Sequence, residues 1–176
     1  IEHIPEMVEA GIDSFKIEGR MKTALYVATV ARTYRKAIDD YKKDPALYQK
    51  NMEWYKAEIG KCTYREFTTG FYFGKPTTDS QIYDSNTYVK NYTYLGTVEE
   101  VREDGCCRIE QKNKFSVGEQ IEIMKPDGRN VLVTVKGITD EDGNAMESAP
   151  HPKQILWVDL GSEVSPYDIL RRSEME

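Results

Sequence analysis

The stretch Ser14-Phe15-Lys16-Ile17-Glu18-Gly19-Arg20-Met21-Lys22 decides how the rest of the chain is read. Phe15 and Ile17 alternate with Lys16 and Glu18, the period-two pattern of a strand with one buried face. Gly19 breaks that pattern and lets the backbone turn. Glu18, Arg20 and Lys22 then gather at the carboxyl end of the strand, where α/β enzymes keep their binding groups. A strand, a charged turn and a helix make half of a β/α unit, and half a unit cannot bury its own faces. The expectation is therefore a piece of a larger β/α cylinder, with further strands preceding Ile1, which is not an initiator methionine.

Working outward, residues 2–11 read as a short helix. Pro5 stands in its first turn, Ile4, Met7 and Val8 form a stripe, and Gly11 is placed as a C-terminal cap. On the other side, Ala24, Val27, Ala31, Tyr34, Ile38 and Tyr41 recur at spacings of three and four, which predicts a long helix with one apolar face. Thr23 suits its N-cap, and Lys42 and Lys43 suit the negative end of its dipole. Asp44-Pro45 stops it and starts another helix, whose stripe is Tyr48, Met52, Tyr55 and Ile59 and whose end is Gly60.

Residues 61–91, rich in Thr, Tyr, Asn, Asp and Gly, read as a linker. From about Tyr92 the pattern changes to short strands separated by turn signals at Asp104-Gly105, Asp127-Gly128 and Asp142-Gly143-Asn144. Strands are expected over 94–101, 107–111, 120–124, 130–138, 155–158 and 168–171. That spacing predicts a small closed barrel. The predicted fold class is α+β: a terminal β/α piece of a TIM-like barrel with its helical extension over 1–60, a linker over 61–91, and a C-terminal β-barrel over 92–176.

The chain has 176 residues, 39% of them hydrophobic and 31% charged, enough for one or two domains with a real core. No apolar run is long enough to span a bilayer and no signal-peptide pattern opens the chain. A net charge of −6 argues against phosphate binding over the whole surface but leaves room for a local basic patch. DNA and membrane are accordingly not expected as partners. Cys62, Cys106 and Cys107 cannot all pair within the chain, and a bond between the neighbours Cys106 and Cys107 would be strained. They read as reduced thiols of a cytoplasmic protein.

Glu18, Arg20 and Lys22 are the foremost candidate site: two cations to hold a phosphate or carboxylate, oriented by Glu18. The plainer alternative is an internal Glu–Arg pair that fixes the turn. Phe71 and Tyr72, with Phe73 between Gly70 and Gly74, are candidates for lining a groove for an extended ligand; the plainer alternative is a linker pinned by aromatic plugs. Tyr34, Tyr41, Tyr48 and Tyr55 have helical spacing, which favours interhelix packing over base stacking. Lys112, Lys114, Lys125, Arg129, Lys136 and Lys153 could form a basic face on the barrel, opposed by an acidic load from Glu99 to Asp142. His3 and His151 lie far apart and no serine sits in a nucleophile elbow, so no catalytic or metal residue is assigned. Cys62 follows a helix C-terminus, where the dipole disfavours the thiolate.

Phe15 through Lys22, Tyr26-Val27-Ala28 and Tyr34-Arg35-Lys36-Ala37 closely resemble a segment of the collagenase-like peptidases, class U family 32. Thr68-Thr69-Gly70-Phe71-Tyr72-Phe73-Gly74 resembles the family's second landmark, and Asn113-Lys114-Phe115, Gly118-Glu119 and Ile169-Leu170-Arg171-Arg172 resemble its C-terminal domain. The resemblance implies an N-terminal (β/α) barrel upstream and an activity described either as proteolysis or as hydroxylation of a base in transfer or ribosomal RNA. The latter implies an iron–sulfur cluster held by four upstream cysteines, whereas no cofactor is expected on this chain. The first expectation is thus an accessory substrate-recognition or docking module of a collagenase-like peptidase, inactive alone, packed on the upstream barrel of the same protein. The alternative is an RNA-binding module of a transfer- or ribosomal-RNA hydroxylase.

Overall fold

A computed structural model describes residues 1–62, 67–76 and 91–174. Four helices precede eight strands among them. The helices are α1 (Ile4–Glu9), α2 (Ala24–Lys43), α3 (Pro45–Lys50) and α4 (Met52–Ile59). Both expected N-caps form: the Thr23 hydroxyl accepts the Tyr26 N–H at 3.3 Å, and the Asp44 carboxylate accepts the Ala46 N–H at 2.9 Å. Each satisfies a backbone donor that the first helical turn leaves orphaned. The single helix expected over Pro45–Ile59 is split at Asn51, whose backbone leaves helical geometry at φ −92°, ψ 2°. Its side-chain amide donates to the Asp40 carboxylate at 2.8 Å, so a contact with α2 holds the break.

The face that α2 buries differs from the expected one. Leu25, Thr29, Val30, Arg32, Thr33, Ala37 and Asp40 are buried, whereas Ala24, Val27 and Ala31 are exposed. Hydropathy misassigns this helix because four of the buried side chains are polar and find partners inside. The tyrosines pack as expected. Tyr41 meets Tyr48 edge-on and Tyr48 stacks on Tyr55, both at 5.7 Å between centroids, around buried Ile4 and Ala37.

The strand expected at Phe15–Glu18 is not a strand here. No residue from Ile12 to Thr23 pairs with the sheet, and Ile17 is 39% exposed. A strand exists through its ladder, and among the described residues the eight strands pair only with one another. Phe15 finds partial cover against the tyrosine cluster. The α+β class rests on the helices and the sheet, and the described residues do not themselves show a β/α-barrel piece.

The strands are β1 (Tyr92–Val101), β2 (Cys107–Glu110), β3 (Gln120–Met124), β4 (Asn130–Thr134), β5 (Gly137–Thr139), β6 (Ala145–Met146), β7 (Ile155–Asp159) and β8 (Ile169–Ser173). They form one antiparallel sheet in the order β4-β3-β8-β1-β2-β7-β5-β6. Gly105, Gly128 and Gly143 take positive φ in the turns where the sequence placed them. The strand expected over 130–138 bends at Val135–Lys136: the Val135 N–H reaches Glu119 on the β3 side, while the Lys136 N–H reaches Asp159 at the end of β7. The expected closed barrel is thus a curled sheet whose end strands are β4 and β6. The curl wraps one core that includes Leu95, Ile109, Phe115, Ile123, Leu156 and Leu170. At Gly96, in β1, a Cβ would stand 3.2 Å from the Glu110 carbonyl and from the Ile109 side chain, so glycine permits the tight curl.

Candidate functional site

The loop before α2 is built around its own backbone. The Lys22 N–H donates to the Gly19 carbonyl at 2.9 Å and the Glu18 carboxylate accepts the Arg20 N–H at 2.8 Å. Gly19 lies against the helix so closely that a Cβ would be 2.7 Å from Val27 Cγ2, so a side chain there would push the turn off α2. Glu18 and Arg20 are exposed; Lys22 is half-buried, its ammonium 5.3 Å from the Tyr26 ring centroid. The turn is fixed by a carboxylate-to-backbone bond. Burial, with smaller contributions from Cys62 and Glu18, raises the Tyr26 phenol pKa, so Tyr26 stays protonated beside this loop.

Phe71 and Tyr72 lie in the turn from Gly70 to Gly74 and are 78% and 74% exposed. The Tyr72 N–H donates to Thr69 at 3.2 Å, and Phe73 meets the His3 ring at 4.5 Å between centroids, which moors the turn to the start of α1. The structure thus brings Glu18, Lys22 and Tyr26 together but shows no contact between them and Phe71 or Tyr72. The remaining parts of the expected linker, residues 63–66 and 77–90, lie outside the described residues.

A third grouping escaped the sequence. Glu58, from α4, sits between two arginines: Arg32 of α2 and Arg171 of β8 both donate to its Oε1, the latter at 2.7 Å. Its Oε2 accepts from Asn130 at 2.8 Å and lies 3.1 Å from the Lys61 ammonium. Arg171 also donates through Nε to Glu122 at 2.6 Å, and Arg32 donates to the Lys125 carbonyl at 2.8 Å. The side chains of Glu58 and Arg171 are 1% and 0% exposed. Burial pushes the Glu58 carboxyl upward, and the charges of Arg171, Arg32 and Lys61 outweigh it, so the group stays ionised with a lowered pKa. Beside it Lys125 pairs with buried Asp168 at 2.7 Å. These ions join the helices to the sheet. Every carboxylate oxygen of Glu58 is held by a cation or amide, so the cluster positions elements and offers no free acid or base.

The spacing of Thr29, Arg32, Thr33 and Asp40 along α2 carried the signal for this junction, since it matches a helical face. What hid it was polarity, because buried ion pairs look solvated to any hydropathy pattern. A second polar junction lies alongside: Asp40 accepts from Lys36 and Asn51, each at 2.8 Å, and from Tyr55. Burial and the Asp40 bond raise the Tyr55 phenol pKa, and burial raises that of Tyr48 to about 12.

Burial disfavours the thiolate form of the cysteines. Burial lifts Cys62 to about 11 and Cys107 to about 12, and it also raises Cys106. His3 faces Glu6 at 3.1 Å and His151 is exposed on a loop. Among the described residues no three His, Cys, Asp or Glu side chains group as a metal site, and no helix is long and apolar enough to cross a membrane.

The sequence of this chain matches two family models. Residues 1–82 match the model described as peptidase family U32, and residues 90–171 match that of the peptidase family U32 C-terminal domain. The chain belongs to peptidase family U32.

Its relatives include proteins named for tRNA hydroxylation and proteins named collagenase. It is 39% identical over 175 residues to "tRNA hydroxylation protein P1" of Bacillus subtilis (strain 168), covering 99% of this chain and 41% of the relative. It is 30% identical over 175 residues to "tRNA hydroxylation protein P" of Escherichia coli (strain K12), covering 98% and 38%. Against "Collagenase" of Porphyromonas gingivalis it is 26% identical over 174 residues, covering 98% and 47%. The chain therefore spans less than half the length of each of these relatives.

Proposed function

We propose that this chain is the RNA-positioning part of a family U32 protein that hydroxylates a transfer-RNA base, with the reacting centre in upstream sequence. The observation that carries the reading is the 39% identity over 99% of the chain to a protein named for tRNA hydroxylation. The geometry supports a positioning role. The described thiols are held protonated by burial, and the buried carboxylates Glu58 and Asp168 are committed to cations. Exposed Lys16 and Arg20 supply charge for phosphate, and exposed Phe71 and Tyr72 supply flat faces on which unpaired bases stack. In this reading Glu18 orders the turn that presents Arg20. The helical unit (1–60) packs on an upstream barrel, which is the occupant proposed for exposed Ile17 and Val27, and the sheet domain (92–176) follows the segment 61–91. In this reading an iron–sulfur cluster belongs to that upstream part and the protein is cytoplasmic.

Filter binding of the chain to unmodified tRNA over a salt series tests this. Binding at low salt that weakens steeply as salt rises supports it, since phosphate contacts release counterions. No retention at low salt overturns it. A second reading, a docking module of a collagenase-like peptidase, has the 26% identity to the collagenase in its favour. Retention of gelatin in place of tRNA, in the same assay, favours that reading.

A further inference from the structure

The two ends of the curled sheet are finished differently. β6 is two residues long, and a short end strand offers little to pair with. β4 is Asn130-Val131-Leu132-Val133-Thr134, uncharged, without proline or bulge, and Leu132 is 63% exposed. The direction of its open hydrogen-bonding groups follows from its neighbours. The Val135 N–H and carbonyl bond Glu119 and Gly118, and the Arg129 carbonyl accepts from Lys125, all on the β3 side. Lys136 points its N–H the other way, to Asp159. By alternation, the N–H and carbonyl groups of Asn130, Leu132 and Thr134 face away from β3. Among the described residues nothing pairs with them.

We infer that β4 pairs antiparallel with β4 of a second copy of this chain, with Leu132 facing Leu132 on the two-fold axis. The sequence of the strand selects this occupant. It reads nearly the same in both directions about Leu132, so an antiparallel self-pair sets Val131 across from Val133 and Asn130 across from Thr134, and every pair is uncharged. Such an isologous pair is the common form of a C2 contact. A contact of five residues per strand is small, and the dimer is of the weak, concentration-dependent kind.

Sedimentation velocity of the chain over a concentration series tests the pairing. A reversible dimer is expected for the unchanged chain. Leu132→Lys sets two like charges face to face and is expected to raise the dimer dissociation constant by about tenfold or more. An equal mixture of the Leu132→Lys and Leu132→Glu variants is expected to recover the dimer, a result that loss of folding cannot mimic. If Leu132→Lys fails to fold, Leu132→Glu alone supplies the same clash of like charges on the two-fold axis. A chain that stays monomeric at about 0.5 mM overturns the inference, since weak interfaces of this size still associate there. A Leu132→Lys dimer as strong as the parent overturns it too, as does a charge-crossed mixture that remains monomeric.

Discussion

The junction of α2, α4 and the sheet and the stretch from Ile12 to Lys22 are built from similar residues and end in opposite states. Both mix aliphatic side chains with lysine, arginine and glutamate. At the junction Arg32, Glu58, Arg171, Glu122 and Asn130 come from five separate elements or their edges, and nearly every polar atom finds a partner. In the other stretch Ile12, Ile17 and Met21 stand exposed, and the sole carboxylate bond of the turn is made to its own backbone. The difference is one of supply. The junction receives counter-charges from three directions within the chain, while the strand-like pattern of the turn has no ladder to join. A buried charge demands a local partner at once, whereas an exposed aliphatic residue can wait for another surface.

The largest expected effect breaks the junction. Glu58→Ala leaves the guanidinium of Arg171, 0% exposed, and that of Arg32, 5% exposed, without their shared counter-ion. Removing one partner of a buried pair costs about 3–5 kcal/mol. Urea unfolding followed by circular dichroism reads it as a lowered midpoint. A loss under about 1 kcal/mol, the size of an exposed pair, would mean that water reaches the site.

The same carboxylate sets an acid dependence. Its pKa is lower in the folded chain than in the unfolded one, where a glutamate titrates near 4.3. A lowered folded value means that the contribution is complete above the unfolded pKa and disappears as pH falls through the folded one. Asp40, also lowered despite its burial, adds in the same direction. The stability gap between the parent chain and Glu58→Gln should therefore be widest near neutral pH and close as the solution is acidified below about pH 4. A gap that is flat across pH 3–7, measured by urea midpoints, would separate Glu58 from the charge network.

A smaller change probes the second polar junction. Tyr55→Phe removes one of the donors to Asp40 while those from Lys36 and Asn51 remain. The expected loss is about 1 kcal/mol, the net worth of one hydrogen bond whose acceptor keeps other partners. Asp40→Ala, which strands Tyr55 and Asn51 together, should cost more, and the ordering of the two midpoints is the check.

How much of this was legible beforehand depended on where the physics is local. Thr23 and Asp44-Pro45 announce helix starts through bonds made within three residues, and the Asp-Gly turns announce strand ends through backbone angles, so both were readable. The spans of β1, β2, β3 and β7 were readable from the turn signals that separate them. The partner of a side chain far away in sequence was not. Arg171 and Glu58 are 113 residues apart, and nothing in either neighbourhood says that they meet. The bend at Val135–Lys136 is likewise set by the two different strands that flank it, and Phe15–Ile17 has a strand's pattern without a strand's neighbours.

The smallest expected change in stability lies at the other pole of the comparison, in the aromatic turn. Phe71→Ala and Tyr72→Ala remove side chains that are 78% and 74% exposed, so each should shift the unfolding midpoint by no more than about 0.5 kcal/mol. Phe73→Ala should shift it further, because that ring packs on His3 at 4.5 Å between centroids. Affinity is expected to sort the three the other way. If bases stack on Phe71 and Tyr72, each truncation should weaken tRNA retention by about 1–3 kcal/mol, while Arg20→Ala should lower the salt slope instead. Retention unchanged by Phe71→Ala and Tyr72→Ala together, in a chain that still binds tRNA, would remove the aromatic turn from the contact and leave the basic loop before α2 to make it alone.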